Sequence, residues 1–194
     1  MVRKLDQIIV VDVEATCWEG APPKGEVSEI IEIGVCPLDV ASGQRLGCRS
    51  VLVRPERSRV SPFCTRLTTL TQEQVDAGMP FAAACALLSR EYGSKERLWA
   101  SYGDYDRRQF ERQCQGRGIA YPFGPGHLNV KSLFAVVQAL PREVGMAEAL
   151  AALGLPLEGT HHRAGDIPGV IARLLAGIHL QSRGGAGTAR ARSA

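Results

Sequence analysis

The sequence predicts an α/β protein: a mixed five-stranded sheet, opening as an antiparallel meander and flanked by helices on both faces. Three observations predict it. The chain opens with three strand-like apolar runs joined by short polar links, at residues 7–13, 29–40 and 48–55. From Thr69 onward the apolar spacing turns to three and four, the period of a helix. Two further short apolar runs, 97–103 and 127–130, alternate with helical segments, which suits helices packed on both faces of one sheet.

Each element has a local reason. Ile8–Val11 are β-branched and continuous, the mark of a strand buried on both faces. The loop "APPKGE" follows it. "EIIEIGVCPLDV" is a second strand, closed by the turn residues "ASGQ", and "CRSVLVRP" a third, stopped by Pro55. "TLTQEQVDAG" carries Thr71 as helix N-cap with Gln74 three residues on, a capping box. "PFAAACALLSREYG" runs from Pro80 at a helix start to Gly93 at its end. "RLWASYG" is a short strand, and "DYDRRQFERQCQGRG" an amphipathic helix opened by Asp and closed by Gly. "HLNV" is the fifth strand. "KSLFAVVQAL", "GMAEALAALGL" and "DIPGVIARLLAGIHL" are the last three helices. Residues 181–194, "QSRGGAGTARARSA", are aperiodic and read as a disordered basic tail.

The 194 residues, 45% hydrophobic and 22% charged, suit one globular domain. A net charge of +3 neither demands nor opposes a polyanionic partner. The six cysteines have no C-x-x-C pair and sit mostly in apolar runs, so reduced, packed thiols are expected, not a disulfide frame or zinc site. "MVRKLDQ" is basic, but the apolar run behind it is short and broken by Asp12. "VIARLLAGIHL" is about half a membrane span. A soluble cytoplasmic protein with no membrane partner is expected.

The first strand ends in two acids, Asp12 and Glu14. Residues two apart in a strand share a face, so both carboxylates point the same way. Burying them unpaired is costly, and each raises the pKa of the other. A divalent cation held by oxygen ligands relieves both costs. A bare D-x-E is more often a salt-bridged or exposed strand end, so the motif alone is weak. Company strengthens it: "SYGDYDRRQF" puts Asp104 where a strand hands over to a helix, and "GTHHRAGD" puts two histidines and Asp166 before the last helix. Asp104 there is also a natural N-cap, and Asp106 a first-turn charge favoured by the helix dipole.

These stretches — "VVDVEATCWEG", "EIIEIGV", "LTTLTQEQVDAG", "SYGDYDRRQFERQC", "GMAEALAALGL" and "EGTHHRAGD", in that order over about residues 5–180 — resemble the DEDDh-type 3′-to-5′ exonucleases. The likeness is greatest to the stem-loop-processing and small-RNA subset and its bacterial relatives. It implies a ribonuclease-H-like fold, an exonuclease domain over residues 1–180, and two Mg2+ or Mn2+ ions. Carried over by motif, Asp12, Glu14 and Asp104 match the first three acidic ligands, and His161 or His162 the general base. Ala15, Thr16, Leu67 and Leu70 match positions near the terminal nucleotide; for the two leucines core packing is an equal reading. Arg107, Arg108, Arg112, Lys131 and Arg163 are candidate phosphate contacts, and Trp18 and Tyr105 candidate stacking residues.

The implied reaction is hydrolysis of single-stranded RNA or DNA from the 3′ end to nucleoside 5′-monophosphates. Two cations roughly 3.5–4 Å apart stabilise the leaving oxygen and acidify the attacking water. One departure stands out. The family places its last metal-binding Asp five residues after the base. Counted from His162 that position is Ile167; counted from His161 it is Asp166. The ungapped match favours the first register, and a one-residue shift turns a helical side chain by about 100°. The alternative function is therefore a catalytically weak or inactive nucleic-acid- or nucleotide-binding module on the same fold.

Overall fold

The computed structural model describes residues 3–155 and 167–190, with side chains through Ile178. Six strands form one sheet: β1 (Lys4–Ala15), β2 (Ile30–Asp39), β3 (Arg49–Arg54), β4 (Met79–Pro80), β5 (Arg97–Ser101) and β6 (His127–Asn129), in the order β4-β3-β2-β1-β5-β6. The meander is present, since β1–β2 and β2–β3 pair antiparallel. The β1–β5 and β5–β6 pairs are parallel. The sheet is therefore mixed, and its sixth member is the two-residue edge strand β4, parallel to β3. Gly78 leads into it. A Cβ there would stand 2.7 Å from the Leu52 backbone, so only glycine permits this approach.

The central strand divides its side chains by parity. Ile9, Val11 and Val13 pack with Phe81 and Leu88 of α3 (Phe81–Tyr92) and with Phe110 and Cys114 of α4 (Tyr105–Arg117). Ile8 and Val10 face the other way. They pack with α5 (Val130–Val137), α6 (Met146–Ala152) and the first turns of α7 (Ile167–Arg190). A smaller cluster of Ile31, Cys64, Leu70 and Val75 seats α1 (Pro62–Thr68) and α2 (Gln72–Asp76). Burial on both faces explains why β1 reads as an unbroken apolar run.

The caps are local chemistry. At α2, Thr71 Oγ1 accepts from the Gln74 N–H and Gln74 Oε1 accepts from the Thr71 N–H. Pro80 precedes α3, and Gly93 and Gly118 close α3 and α4 in the left-handed region. The sequence reading did not anticipate α1; Ser61 caps it by accepting from the Cys64 N–H, with Pro62 at its start.

Two expectations are corrected. Cys36 and Cys48 form a disulfide, and only Cys17, Cys64, Cys85 and Cys114 are free. After β2 the chain folds back so that Leu38 bridges Arg45, which brings the Cys36 and Cys48 Cα atoms to 4.1 Å. The basic tail expected from residue 181 is helical as far as Arg190, as the continuation of α7. No proline interrupts it, and extending a formed helix needs no new nucleus. Residues 191–194 lie outside the described residues. Among the described residues no helix is long and apolar enough to cross a membrane.

Candidate active site

β1, β5 and β6 run parallel, so their C-terminal ends share one edge of the sheet, where ligands of open α/β sheets collect. Asp12 and Glu14 lie at that end of β1. They continue the parity row of Ile8 and Val10 and so face the α7 side. A register shift between Glu14 and Ala15 ends the regular pairing with β2 there. Glu14 stands opposite Glu32 of β2. Glu32 is buried and accepts a hydrogen bond from the Ser50 hydroxyl.

The third carboxylate is Asp106. It is 4% exposed, and its Oδ1 accepts from the Val13 N–H at 2.9 Å. Asp12, Val13, Glu14, Tyr102, Tyr105, Asp106, Met146 and Ile167 line one pocket of about 270 Å3. That is several times the ~30 Å3 share of a water molecule. Asp104 does not line it. Its carboxylate is 3.2 Å from Arg107 and 3.9 Å from His127 Nδ1. The expectation that Asp104 joins Asp12 and Glu14 is thus corrected to Asp106. Asp104 occupies the N-cap position of α4 but makes no capping hydrogen bond.

A sequence signal for Asp106 existed. Phe110 and Cys114 form the buried row of α4, and Asp106 stands four residues before Phe110 on the same stripe. Asp104 falls about 200° away from Asp106 around the helix.

Burial dominates the electrostatics of these acids. Asp12 keeps part of its surface open, yet loss of water and then the charges of Asp106, Glu14 and Glu32 hold its carboxyl well above the usual range. Glu14 is pushed up to about 7, by burial first and by Glu32 and Asp106 next. Asp106 is pushed up to about 6 by burial, against the Val13 hydrogen bond, which pulls it down.

The remaining candidates divide. Thr16 is buried; its hydroxyl donates to the Val27 carbonyl at 3.3 Å and accepts from the Glu29 N–H at 2.9 Å, tying the 27–29 segment to the end of β1. Ala15 is buried, and its carbonyl accepts from Cys64 Sγ. Leu67 is 38% exposed, whereas Leu70 belongs to the core; neither lines the carboxylate pocket. Arg107 pairs with Asp104 and Glu111, Lys131 with Glu143, and Arg112 donates to Gln109. Tyr105 is exposed at the rim, and Trp18 is half-buried. His127 sits on β6 with its Nε2 2.9 Å from Ser101 Oγ and its ring against Trp99. His161, His162, Arg163 and Asp166 lie outside the described residues.

An exonuclease family model (RNase_T) matches residues 9–166. The solved nuclease domain of 3′hExo, a DEDDh family member bound to rAMP, superposes with a TM-score of 0.81 at 30% identity, covering 94% of this chain and 95% of that one. This chain belongs to the DEDDh 3′-to-5′ exonuclease family. Human 3′-5′ exoribonuclease 1 is 32% identical over 179 residues, 87% of this chain but 51% of that protein. The Drosophila melanogaster 3′-5′ exonuclease Snipper is 27% identical over 181 residues, 82% of this chain and 64% of that protein. This DEDDh chain therefore spans about half the length of the exoribonuclease 1 relatives it matches.

The exonuclease family is generally divalent-metal dependent. The donor set fits such an ion: three carboxylates border one pocket, and none of the ion pairs among the described residues involves Asp12, Glu14 or Asp106. Hard cations take oxygen ligands of this kind. The side chains still stand apart. Among the described residues no three His, Cys, Asp or Glu groups are already arranged to hold a metal ion. A cation would draw together carboxylates that otherwise repel.

Proposed function

We propose that this protein is a Mg2+- or Mn2+-dependent exonuclease that removes nucleotides from the 3′ end of single-stranded RNA or DNA as nucleoside 5′-monophosphates. The observation that carries this reading is the pocket bordered by Asp12, Glu14 and Asp106, three acids from two distant elements that, among the described residues, are in no ion pair. The names of the relatives favour RNA: exoribonuclease 1, and a 3′-exonuclease that recognises the histone mRNA stem-loop.

When bound, a divalent cation supplies Lewis-acid stabilisation of phosphoryl oxygens and lowers the pKa of a water. The chain supplies the rest. Asp12 and Glu14 of β1 and Asp106 of α4 would hold the cation. The Val13 N–H orients Asp106. His161 or His162, matched to the family's base, takes the proton of the attacking water at an imidazole nitrogen. Tyr105 at the rim offers a ring face to a base.

Ile167 on the pocket wall favours one second reading, a module that binds single strands and turns them over slowly or not at all. One experiment separates the two. A 3′-labelled single strand is incubated with Mg2+ or Mn2+ and with the wild type or Asp12→Ala. Metal-dependent shortening by the wild type alone supports the exonuclease. Retained strand binding without shortening supports the module.

A further inference from the structure

Asp106 is held by β5 as well as by β1. Ser101, the last residue of β5, is fully buried. It shares the strand parity of Trp99, which packs with Phe110 and Cys114 of α4, and so lies under the start of that helix. Its hydroxyl hydrogen-bonds the Asp106 carboxylate, the Gly103 carbonyl at 2.9 Å and His127 Nε2 at 2.9 Å. A serine hydroxyl has one proton to give and lone pairs to accept with. A carbonyl and an ionised carboxylate only accept, so His127 must be the neighbour that donates. Its ring packs against Trp99, centroids 4.3 Å apart, and its side chain is 10% exposed. Burial first, and then the Arg107 charge, keep the imidazole neutral near pH 7. With the one ring proton on Nε2, Nδ1 is bare, and Asp104 at 3.9 Å has no N–H there to accept from.

Resting on the exonuclease reading above, we propose that Ser101 and His127 are positioning residues for Asp106: the His127 Nε2–H donates to Ser101 Oγ, and the Ser101 hydroxyl donates to the Asp106 carboxylate. The ionised carboxylate is a stronger acceptor than the Gly103 carbonyl and draws the hydroxyl proton from it. The Val13 N–H binds the same carboxylate from β1. Donors from two neighbouring strands thus fix the acid of α4 in one orientation toward the pocket. Groups that orient a ligand in this way set how well it meets its ion and substrate.

The test is steady-state 3′ trimming of a labelled single strand in Mn2+ by the full chain and its variants, with thermal melting alongside. Ser101→Ala is expected to lower kcat about tenfold and to leave KM within about threefold of wild type. Ser101→Thr, which keeps a hydroxyl, is expected to recover most of that loss. His127→Asn is too short to carry an N–H to the place of Nε2 and is expected to lower kcat in the same way. His127→Gln reaches that place and is expected to recover it. The double variant Ser101→Ala/His127→Asn is expected to be no slower than Ser101→Ala alone, because the histidine acts through the serine. Equal losses in His127→Asn and His127→Gln, losses that add in the double variant, or losses that follow melting temperature overturn the proposal. If Ser101→Ala does not fold, the two His127 variants still decide.

A second readout needs neither metal nor strand. The 15N spectrum of the metal-free protein near neutral pH is expected to show His127 protonated at Nε2 and bare at Nδ1. The 13C shift of the Asp106 carboxyl is expected to move in Ser101→Ala. The opposite tautomer, or an unmoved carboxyl, overturns the proposal. A wild type that does not trim, with both signals as expected, overturns the exonuclease reading and leaves this arrangement standing.

Discussion

The Val13 N–H donates to Asp106 Oδ1 at 2.9 Å, joining two residues 93 positions apart in the chain. The bond fixes where α4 begins relative to the end of β1 and delivers a carboxylate to the pocket. Asp106→Ala removes both the charge and the acceptor, leaving a buried N–H unpaired. It is expected to abolish trimming and to cost about 1–3 kcal/mol of stability. Asp106→Asn keeps an acceptor for Val13 and is expected to fold normally yet not trim. Asp104→Ala, outside the pocket, is expected to stay within about tenfold of wild-type activity, or about 1.4 kcal/mol. Thermal denaturation and a labelled-strand assay on the three variants check this.

The acids of the pocket make the metal-free protein sensitive to pH. Burial raises Asp12, takes Glu14 to about 7 and takes Asp106 to about 6, so the folded state holds protons that the unfolded state releases near pH 4. Their contribution to stability is therefore present in acid and is lost as pH rises through about 7. In a chelator, Asp12→Asn is expected to gain melting temperature over the wild type at pH 8 and little at pH 5. Added Mn2+ is expected to raise the wild-type value at pH 8 more than the variant's.

His127 works in the opposite direction. Burial first, then the nearby Arg107 charge, lower it to about 4, despite Asp104. A depressed histidine stabilises the fold above its unfolded value of about 6.5, and that stability is lost as pH falls through about 4. With its side chain only 10% exposed, the effect is on the order of 1–3 kcal/mol. Denaturant unfolding of wild type and His127→Gln between pH 4 and 7 isolates it. The variant is expected to show the shallower acid loss.

Glu29 anchors the 56–58 segment. Its carboxylate accepts from the N–H groups of Arg57 and Ser58 at 2.8 Å each and from the Arg117 guanidinium. Both side chains of the ion pair are buried. Glu29→Ala removes the acceptor of the Arg57 and Ser58 N–H groups and leaves Arg117 only its pair with Glu56 at 2.9 Å, and is expected to cost about 1–3 kcal/mol, read as a lower denaturation midpoint. The carboxylate pocket lies elsewhere, so metal affinity is expected to hold in the fraction that folds.

By itself, the sequence determined what depends on near neighbours. The β-branched run of Ile8–Val11 dictates a strand buried on both faces. The alternation of a strand puts Asp12 and Glu14 on one side of it, and the Thr71–Gln74 capping box, Pro80, Gly93 and Gly118 mark helix ends through their own backbone chemistry. Only the tertiary structure decided which of two acids at the start of α4 meets β1. Asp104 and Asp106 are equally plausible helix-start residues. The docking of Phe110 and Cys114 into the core turns Asp106 inward and leaves Asp104 to Arg107. The same holds for Ile167 on the pocket wall, which requires two distant segments to approach, whereas the Cys36–Cys48 disulfide, 12 residues apart, needs the fold-back after β2 that pairs Leu38 with Arg45. Such contacts arise from packing free energy summed over the whole core, which no local stretch contains.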